Sequence, residues 1–364
     1  MKKKSLSVKK KIHKSFLKYL KNIKINNLFK EFNNKLDILL NKEFRFAIAV
    51  SGGPDSLALA YLSKCYLLKS NSNLNLKCFI VDHKLRKESS IEAYSLKKFL
   101  SKFDINCEIL TWKGKKPISN IQASARKHRY KLLKKACIKH NISNLITGHH
   151  KDDLYENFFI RMLRGSGLKG LTSFADPIVK IDDNFKILRP LIKVEKKELV
   201  HISKTVFNFF IKDPSNKNLN FQRSRIRKLI SDLEKEGLDK KKLYLIIKNL
   251  KSADLNIKIY VEDNIKKNTK YLRSSNQFIL SQNFFLDHGN KVVFRSFAEV
   301  LKKISGKYYP PRGVKIRSAI QRCSSFDVKN KDTKNLKKSR DLKFTLGRCY
   351  IERINQTVII SREK

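Results

Sequence analysis

The sequence predicts an α/β protein: a doubly wound, mostly parallel sheet, then a basic, helical C-terminal region that ends in a small β element. Apolar strand-like runs alternate with helix-like segments from residue 46 to about residue 165, a pattern typical of parallel sheets with helices on both faces. Polar clusters follow Val50, Val81 and Thr147, where the strands of such a sheet end and ligands bind. Several segments are therefore expected to meet in one crevice.

The composition indicates a folded protein with a polyanionic partner. The 364 residues carry a formal net charge of +49, from 81 Lys and Arg against 32 Asp and Glu, and 41% of them are hydrophobic. An excess of this size favours nucleic acid as a partner. The chain is also rich in Asn, Ile and Lys, as an AT-rich genome would produce, so part of the charge has a compositional explanation.

Cysteine spacing and hydropathy exclude several classes of protein. The six cysteines form no C-x-x-C pair, and their scatter fits neither a zinc site nor a disulfide framework. No apolar run reaches the length that spans a membrane. We expect a cytoplasmic protein with no membrane partner.

Four regions are predicted along the chain. Residues 1–43 form a basic helical extension, in which Lys clusters alternate with apolar residues; its polar face is either a solvated surface or an RNA-facing arm. Residues 44–217 form the α/β domain, residues 218–305 a helical region that binds RNA, and residues 306–364 a small α+β domain that also binds RNA.

The first strand and the loop after it organise the α/β domain. Phe46–Val50 is an unbroken apolar run and reads as a buried parallel strand. The segment Ser51-Gly52-Gly53-Pro54-Asp55-Ser56 follows, in which two glycines permit a sharp turn and Pro54 suits a first helical position. A helix N-terminus directly after a tight loop is a phosphate site. The segment is not a Walker A loop, because it does not fit G-x-x-x-x-G-K-[ST].

Further elements follow in order. The pattern predicts strands at 77–83, 107–112 and 145–150, helices at 91–103 and 121–140, and a helix that begins at Lys151 or Asp152. Short strands are predicted between residues 178 and 194, before a helix that begins near Glu195. A basic helix opens around residues 221–227, and the region from Leu229 to about Leu301 is mainly helical. The end of the chain reads as a hairpin with arms at 344–353 and 357–362, after a charged loop at 329–340.

A second motif lies at the fourth predicted strand end, in Gly148-His149-His150-Lys151-Asp152-Asp153-Leu154-Tyr155-Glu156. Asp153 and Glu156 are three residues apart and share a helix face, so their carboxylates can hold Mg²⁺ together with substrate phosphates. The alternative is that the acidic residues only cap the helix. His149 and His150 are candidates for a place beside the nucleotide or the acceptor, and one of them could instead be structural.

These motifs carry a resemblance to a known family. The S-G-G-x-D-S loop resembles the pyrophosphate loop of the N-type ATP pyrophosphatases, which cleave ATP between the α and β phosphates. Four further blocks occur in the right order, and with them residues 44–230 resemble the bacterial tRNA(Ile)-lysidine synthetases. The blocks are Val81-Asp82-His83, residues 120–130, Gly148–Glu156 with Arg164-Gly165-Ser166-Gly167, and residues 213–227.

The resemblance implies a two-step reaction. ATP adenylates C2 of the wobble cytidine in a CAU-anticodon tRNA(Ile), and the ε-amine of free lysine then displaces AMP to give lysidine. The family also allows for a homodimer. The residues it implies for ATP binding are Ser51, Gly52, Gly53, Pro54, Asp55, Ser56, Asp82, His83 and His149. Those it implies for catalysis are Asp55, Arg126, Asp153, Glu156 and Arg223, with Mg²⁺ on Asp153 and Glu156.

The sequence departs from the family pattern at one position, and two other functions compete. Ser224 stands where the family commonly has Asn, which puts any contact from that amide in question. A tRNA base thiolase of the same superfamily would be expected to carry C-x-x-C pairs. A non-catalytic RNA-binding protein would not be expected to keep both the loop and the Asp153 and Glu156 pair.

Overall fold

The computed structural model describes residues 12–41, 45–70, 76–84, 88–114, 121–182, 184–211, 218–307, 309–325 and 342–363. The chain divides into two compact units, Met1–Ile247 and Lys248–Lys364. The division falls within the long helix Lys240–Asn268. Each unit packs around apolar cores of its own, and the predicted four-part division stays a prediction.

The first unit contains the predicted, mostly parallel sheet. Its strand order is β3-β2-β1-β4-β6-β5, and only the edge strand β5 runs antiparallel to its neighbour. This order places β1 at the centre, between β2 and β4. The strands are β1 Phe46–Ala49, β2 Lys77–Asp82, β3 Cys107–Thr111, β4 Asn144–Ile146, β5 Ile178–Asp182 and β6 Phe185–Leu188.

Helices cover both faces of this sheet, which confirms the doubly wound fold class. One face packs against the helix that follows β1 and its neighbours, and the other packs against the helix that follows β3. The α-helices of this unit are Ile23–Leu40, Pro54–Lys69, Ser89–Ser101, Ile121–Lys139, Lys151–Met162, Leu168–Thr172, Lys196–Phe207 and Gln222–Lys235, with 3₁₀ turns at Tyr19–Lys21 and Ser173–Ala175.

The N-terminal segment is part of this core. Helix Ile23–Leu40 begins at Asn22, whose side chain accepts hydrogen bonds from the backbone N–H groups of Lys24 and Ile25, as an N-cap residue does. Its apolar face is buried. Phe16 is 2% exposed and packs against the ring of Tyr61. The predicted RNA contact of the opposite, polar face stays a prediction.

The second unit combines helices with an antiparallel sheet of order β7-β8-β11-β10-β9. One core joins this sheet to the helices, so residues on both sides of position 305 pack together. The strands are β7 Thr269–Leu272, β8 Gln277–Leu280, β9 Leu342–Leu346, β10 Cys349–Ile354 and β11 Thr357–Arg362, and the helices are Asn283–Leu286, Asn290–Ser305 and Gly313–Ser324.

The C-terminal strands differ from the predicted two-armed hairpin. The arm predicted at 344–353 is interrupted at Gly347 and Arg348, which have φ values of 66° and 71°. Two consecutive residues at positive φ make the tight turn that joins twisted antiparallel strands, so this arm is itself a hairpin of β9 and β10. The strands β7 and β8 were not predicted, because four-residue strands inside a Lys-rich segment give little periodicity. The predicted loop at 329–340 lies outside the described residues.

None of the helices in the described part of the chain is long and apolar enough to cross a membrane.

Candidate active site

The phosphate loop, Ser51–Ser56, connects β1 to the helix Pro54–Lys69, as predicted. The backbone N–H of Val50 donates to the carbonyl of Phe79 in β2, over 2.9 Å. The Ser56 hydroxyl then closes the loop: it accepts from the N–H of Ser51 at 3.1 Å and donates to the carbonyl of Gly53 at 2.9 Å. The loop therefore holds its shape through its own hydrogen bonds, and it leads into a helix N-terminus, which is a favourable place for an anion.

Gly52 is a glycine by necessity. Its φ is 83°, and a Cβ atom there would lie 2.5 Å from Cδ1 of Ile211. The backbone N–H of Ile211 donates to the carbonyl of Gly52 over 2.9 Å. A segment from the end of the α/β domain is therefore fastened to the phosphate loop at a point where no side chain fits.

Gly148 joins the two predicted motifs. A Cβ atom at this position would lie 3.0 Å from the backbone carbonyl oxygen of Asp55. The end of β4 thus touches the first turn of the helix Pro54–Lys69 through main-chain atoms. This contact brings the loop and the helix Lys151–Met162, which we call the acidic helix, to one place.

His150 lies between the carboxylates of both motifs. Its Nε2 is 3.4 Å from Oδ2 of Asp55 and 3.6 Å from Oδ2 of Asp153, and its side chain is 5% exposed. Burial alone would lower the pKa of His150, but the hydrogen bond to Asp55 and the charge of Asp153 outweigh burial and raise it. Its Nδ1 accepts from the N–H of Asp152, so His150 also caps the acidic helix.

Asp153 and Glu156 share a helix face but have different partners. The Asp153 carboxylate accepts from the N–H of His150 at 3.1 Å; burial raises its pKa, and the histidines and Arg223 outweigh burial, so the net shift is downward. Glu156 is 3% exposed and lies 2.5 Å from Nε of Arg227. Burial raises the pKa of Glu156 more than the arginines lower it.

Oxygen donors for a divalent cation are present on Asp55 and Asp153. Oδ1 of Asp55 is buried and has no hydrogen-bond partner in the structure, whereas Oε1 of Glu156 is taken by Arg227. No group of three His, Cys, Asp or Glu side chains in the described part of the chain could hold a metal by itself. The donor set suits a cation that also needs substrate phosphates.

His149 and two arginines mark another side of the site. Nδ1 of His149 lies 2.8 Å from the Thr147 hydroxyl. Burial lowers the pKa of His149 well below its usual value despite the opposing charge of Asp153, and the charges of nearby arginines lower it as well. The guanidinium groups of Arg126 and Arg129 lie 5.0 Å and 5.6 Å from the centre of the Tyr130 ring. His149 is therefore neutral beside a cluster of positive charge.

Asp82 and His83 follow β2. The Asp82 carboxylate accepts hydrogen bonds from the N–H of Lys84 and the hydroxyls of Ser89 and Ser90. Burial alone would raise the pKa of this carboxylate, but those hydrogen bonds outweigh burial, and the net shift of the pKa is downward. Burial and the charge of Arg129 lower the pKa of His83 to about 4. Asp82 thus fixes the start of the next helix, while His83 faces the crevice as a neutral ring.

One crevice of about 620 Å³ collects these features. Predicted residues that line it are Ser51, Gly53, Asp55, Ser56, His83 and His149, and an apolar wall includes Phe79, Val81, Ala93 and Leu96. Asp153 adjoins it through His150, and Arg223 is close enough to lower the pKa of Asp153. Asp82, Glu156 and Arg126 do not line it. The predicted block residues Asn120 and Asp213–Asn216 lie outside the described residues.

Sequence reasoning did not single out four side chains of this site: Tyr130, Arg189, Phe221 and Arg227. Arg227 was detectable, because it is four residues after Arg223 and so shares its helix face. Tyr130 and Phe221 lie within the blocks 120–130 and 213–227 but were given no role of their own, and the place of Arg189 depends on tertiary contacts. Ser224, the departure from the family pattern, is 6% exposed.

Comparisons with known proteins show to which family this chain belongs. The family model of the PP-loop domain matches residues 19–234. A tRNA(Ile)-lysidine synthase of Orientia tsutsugamushi is 41% identical over 52% of this chain and 42% of its own length, and that of Rhodopseudomonas palustris is 36% identical over 59% and 62%. That of Rickettsia bellii is 30% identical over 92% of this chain and 74% of its own length. The chain belongs to the tRNA(Ile)-lysidine synthase family.

The family assignment rests on sequence along nearly the whole chain, and the fold comparison adds to it. The chain spans less than two thirds of the length of the first two of these lysidine synthases. The U34-tRNA thiolase NcsA from Methanococcus maripaludis, solved with its 4Fe-4S cluster, superposes with a TM-score of 0.52 at 23% identity, over 62% of this chain and 80% of its own. At that identity the likeness concerns the fold alone.

Proposed function

We propose that this protein forms lysidine at the wobble cytidine of a CAU-anticodon tRNA(Ile), as a carbon–nitrogen ligase that consumes ATP. The observation that carries the proposal is the junction of the phosphate loop with the acidic helix at Gly148, in a chain that matches a lysidine synthase over 92% of its length. This junction supports the proposal because it keeps the two motifs that an adenylating site would need next to each other.

The first step would transfer AMP to the base. The C2 oxygen of cytidine attacks the α-phosphorus of ATP, and pyrophosphate leaves. The loop Ser51–Ser56 and the helix dipole behind it would hold the leaving phosphates, and the apolar wall of the crevice gives the adenine ring a dry surface. Adenylation turns a poor leaving group on the base into a good one.

Mg²⁺ fits the carboxylates of this site as a bound cofactor. Asp55 has a buried oxygen without a hydrogen-bond partner, and Asp153 is ionised beside it, so these two would hold the ion together with the substrate phosphates. When bound, the ion would neutralise charge on those phosphates. For Glu156 to be a ligand, as the sequence led us to expect, it would have to release Arg227.

The second step would use free lysine as the nucleophile. Its ε-amine attacks C2 of the adenylated cytidine, AMP leaves, and the nitrogen loses a proton. The amine must be neutral when it attacks, so the site needs a proton acceptor. His149 is neutral in the fold, and this state allows it to take part in that proton transfer.

The second unit offers a basic surface for the body of the tRNA. From Val300 to Ser325 the sequence contains seven Lys and Arg residues and no Asp or Glu. Exposed cations on this stretch include Lys303, Arg312, Lys315 and Arg317. A surface of one sign binds phosphates without reading bases, which suits recognition of an RNA by its shape. Such a partner also leads us to propose a cytoplasmic location.

The thiolase alternative lacks support from the site. All six cysteines are buried, and none of them lines the crevice, so no thiol is placed to carry sulfur to an adenylated base. We therefore favour an amine nucleophile.

A direct test measures lysine incorporation. Purified protein with ATP, Mg²⁺, labelled lysine and CAU-anticodon tRNA should label the tRNA and release one pyrophosphate and one AMP per lysine. Asp153→Asn should abolish pyrophosphate release and leave tRNA binding within about twofold, because the proposed role of that side chain is toward the nucleotide and not the RNA body. Asp152→Asn, one position earlier on the same helix, is the matched control and should keep most of the activity.

Two results would refute the proposal. Pyrophosphate release without labelled tRNA would mean that lysine is not the nucleophile. Loss of tRNA binding in Asp153→Asn, with Asp152→Asn unaffected, would give Asp153 a structural role.

A further inference from the structure

Arg189 is a buried cation that the sequence did not mark. It follows the last residue of β6, and its side chain stacks 4.1 Å from the centre of the Phe174 ring. Its Nη1 donates to the carbonyl of Phe174 at 3.1 Å, and its backbone N–H donates to the carbonyl of Pro177 at 2.8 Å. The side chain is held rigidly, because the residue is only 7% exposed.

Arg189 forms no ion pair with a described carboxylate, and Asp153 and Asp176 act on its charge only from beyond ion-pair distance. Its Nε is buried without a hydrogen-bond partner. Among the described residues, no carboxylate lies within ion-pair distance of its guanidinium, and the one side-chain bond it makes goes to a neutral carbonyl. Buried arginines are ordinarily paired with a carboxylate, because desolvation of an unpaired cation is costly. An arginine kept in this state needs a reason.

Two other arginines without an ion pair to a described carboxylate lie on the helix Ile121–Lys139, which follows β3. Arg126 and Arg129 rest on the Tyr130 ring, and neither forms an ion pair with a described carboxylate. Arg129 and Tyr130 line the crevice. Phe174, on which Arg189 stacks, meets the ring of His149 edge-on at 5.2 Å, and His149 also lines the crevice.

The electrostatics of Arg189 agree with this arrangement. Burial lowers the pKa of Arg189, and the charge of Arg126 also lowers it, whereas Tyr130, Asp153 and Asp176 act in the opposite direction. The two arginines therefore repel each other in the free protein. An anion between them would turn this repulsion into attraction.

We propose that Arg189 is the buried member of a site that binds one phosphate oxyanion together with Arg126 and Arg129. This site is distinct from the phosphate loop, and the inference rests on the proposed function of the crevice. Guanidinium groups bind phosphate through paired N–H donors. Two phosphates are candidates for this site: the α-phosphate of the nucleotide, and a backbone phosphate of the RNA.

The test compares ligands that differ by one phosphate. Arg189→Met removes the charge and keeps a side chain that can pack on Phe174. Lys193→Met, on the same segment but exposed, removes an equal charge and is the matched control. For each protein, the affinities for AMP, for adenosine and for an anticodon stem-loop RNA are measured by titration calorimetry, together with the thermal midpoint.

If the phosphate belongs to the nucleotide, Arg189→Met should bind AMP at least about tenfold more weakly than the wild type does, while its affinities for adenosine and RNA stay unchanged. An RNA source predicts a loss of the same size for the stem-loop, with AMP unchanged. In either case Arg189→Lys should lose less affinity than Arg189→Met, because lysine keeps the positive charge but lacks the planar guanidinium with its paired donors. Lys193→Met should bind as the wild type does. Arg189→Lys also serves as the test variant if Arg189→Met does not fold.

The inference is overturned if Arg189→Met or Arg189→Lys binds AMP and RNA with wild-type affinity and only the thermal midpoint falls. Arg189 would then serve only to stabilise the turn at Phe174. A wild-type protein that binds neither ATP nor RNA would instead refute the proposed function, so the two failures can be told apart.

Discussion

Substitution of Gly52 by alanine tests the conformation of the phosphate loop. The backbone at this residue has a φ of 83°, where a side chain costs about 1–2 kcal/mol. The new Cβ would also lie 2.5 Å from Cδ1 and 3.0 Å from Cγ1 of Ile211. Overpacking of this kind costs about 1–3 kcal/mol, towards the lower end here because the tip of Ile211 can rotate.

The sum is a loss of about 2–4 kcal/mol in the free energy of unfolding. For a unit of this size it corresponds to a fall in the thermal midpoint of about 5–15 °C. A rotated loop would also misalign the N–H groups that we propose face the phosphates, so ATP should bind more weakly as well. Differential scanning calorimetry gives the first quantity and titration of ATP gives the second.

Two further variants separate the causes. Gly53→Ala is the matched control, because its φ is −71° and the nearest atom to a new Cβ is Oγ of Ser51 at 3.8 Å. Gly52→Ala combined with Ile211→Ala relieves the clash and leaves the backbone cost. If Gly52→Ala and Gly53→Ala prove equally stable and bind ATP equally well, the loop does not have the conformation described above.

Two other predictions concern buried titratable groups. Arg227→Met leaves the Glu156 carboxylate buried and unpaired, which should cost about 1–2 kcal/mol at pH 7 after allowance for the part of Arg227 that is exposed. Burial raises the pKa of Glu156, so in urea unfolding this deficit should grow as the pH rises above 4.5. Arg225→Met, which removes an exposed arginine bonded only to backbone carbonyls, is the control, and an equal loss there would contradict the reasoning. His83 has a pKa lowered to about 4, so its contribution to stability is present above pH 6.5 and is lost as the pH falls towards 4. In His83→Gln the thermal midpoint should change less with pH across that range. A midpoint that changes with pH as steeply as in the wild type, or as in the exposed-site variant His201→Gln, would contradict this prediction.

The sequence predicted the fold class because long, strongly patterned elements dominate the first unit. Phe46–Val50 contains no polar residue that would obscure the pattern of a buried strand, and the structure places this strand at the centre of the sheet. The short strands β7 and β8 were missed, since four residues rarely show a period. The turn at Gly347 and Arg348 was missed because arginine is uncommon at positive φ.

For the site, the sequence supplied the motifs but not their partners. The spacing of Asp153 and Glu156 correctly indicated a shared helix face, yet it could not reveal that Glu156 pairs with Arg227, 71 residues further along the chain. Arg189 stood in an ordinary Leu-Arg-Pro-Leu stretch, and only its burial without an ion pair to a described carboxylate distinguishes it. Local patterns record which side chains share an element, whereas charge balance is a property of the folded whole.

The contact between Gly148 and the carbonyl of Asp55 has a consequence for how the site can change over evolutionary time. Because main chain meets main chain there, the spacing between phosphate loop and acidic helix does not depend on the side chain of any neighbour. Side chains around the crevice can then differ while the proposed ATP site keeps its dimensions. A rigid junction without side chains makes the rest of the pocket adaptable.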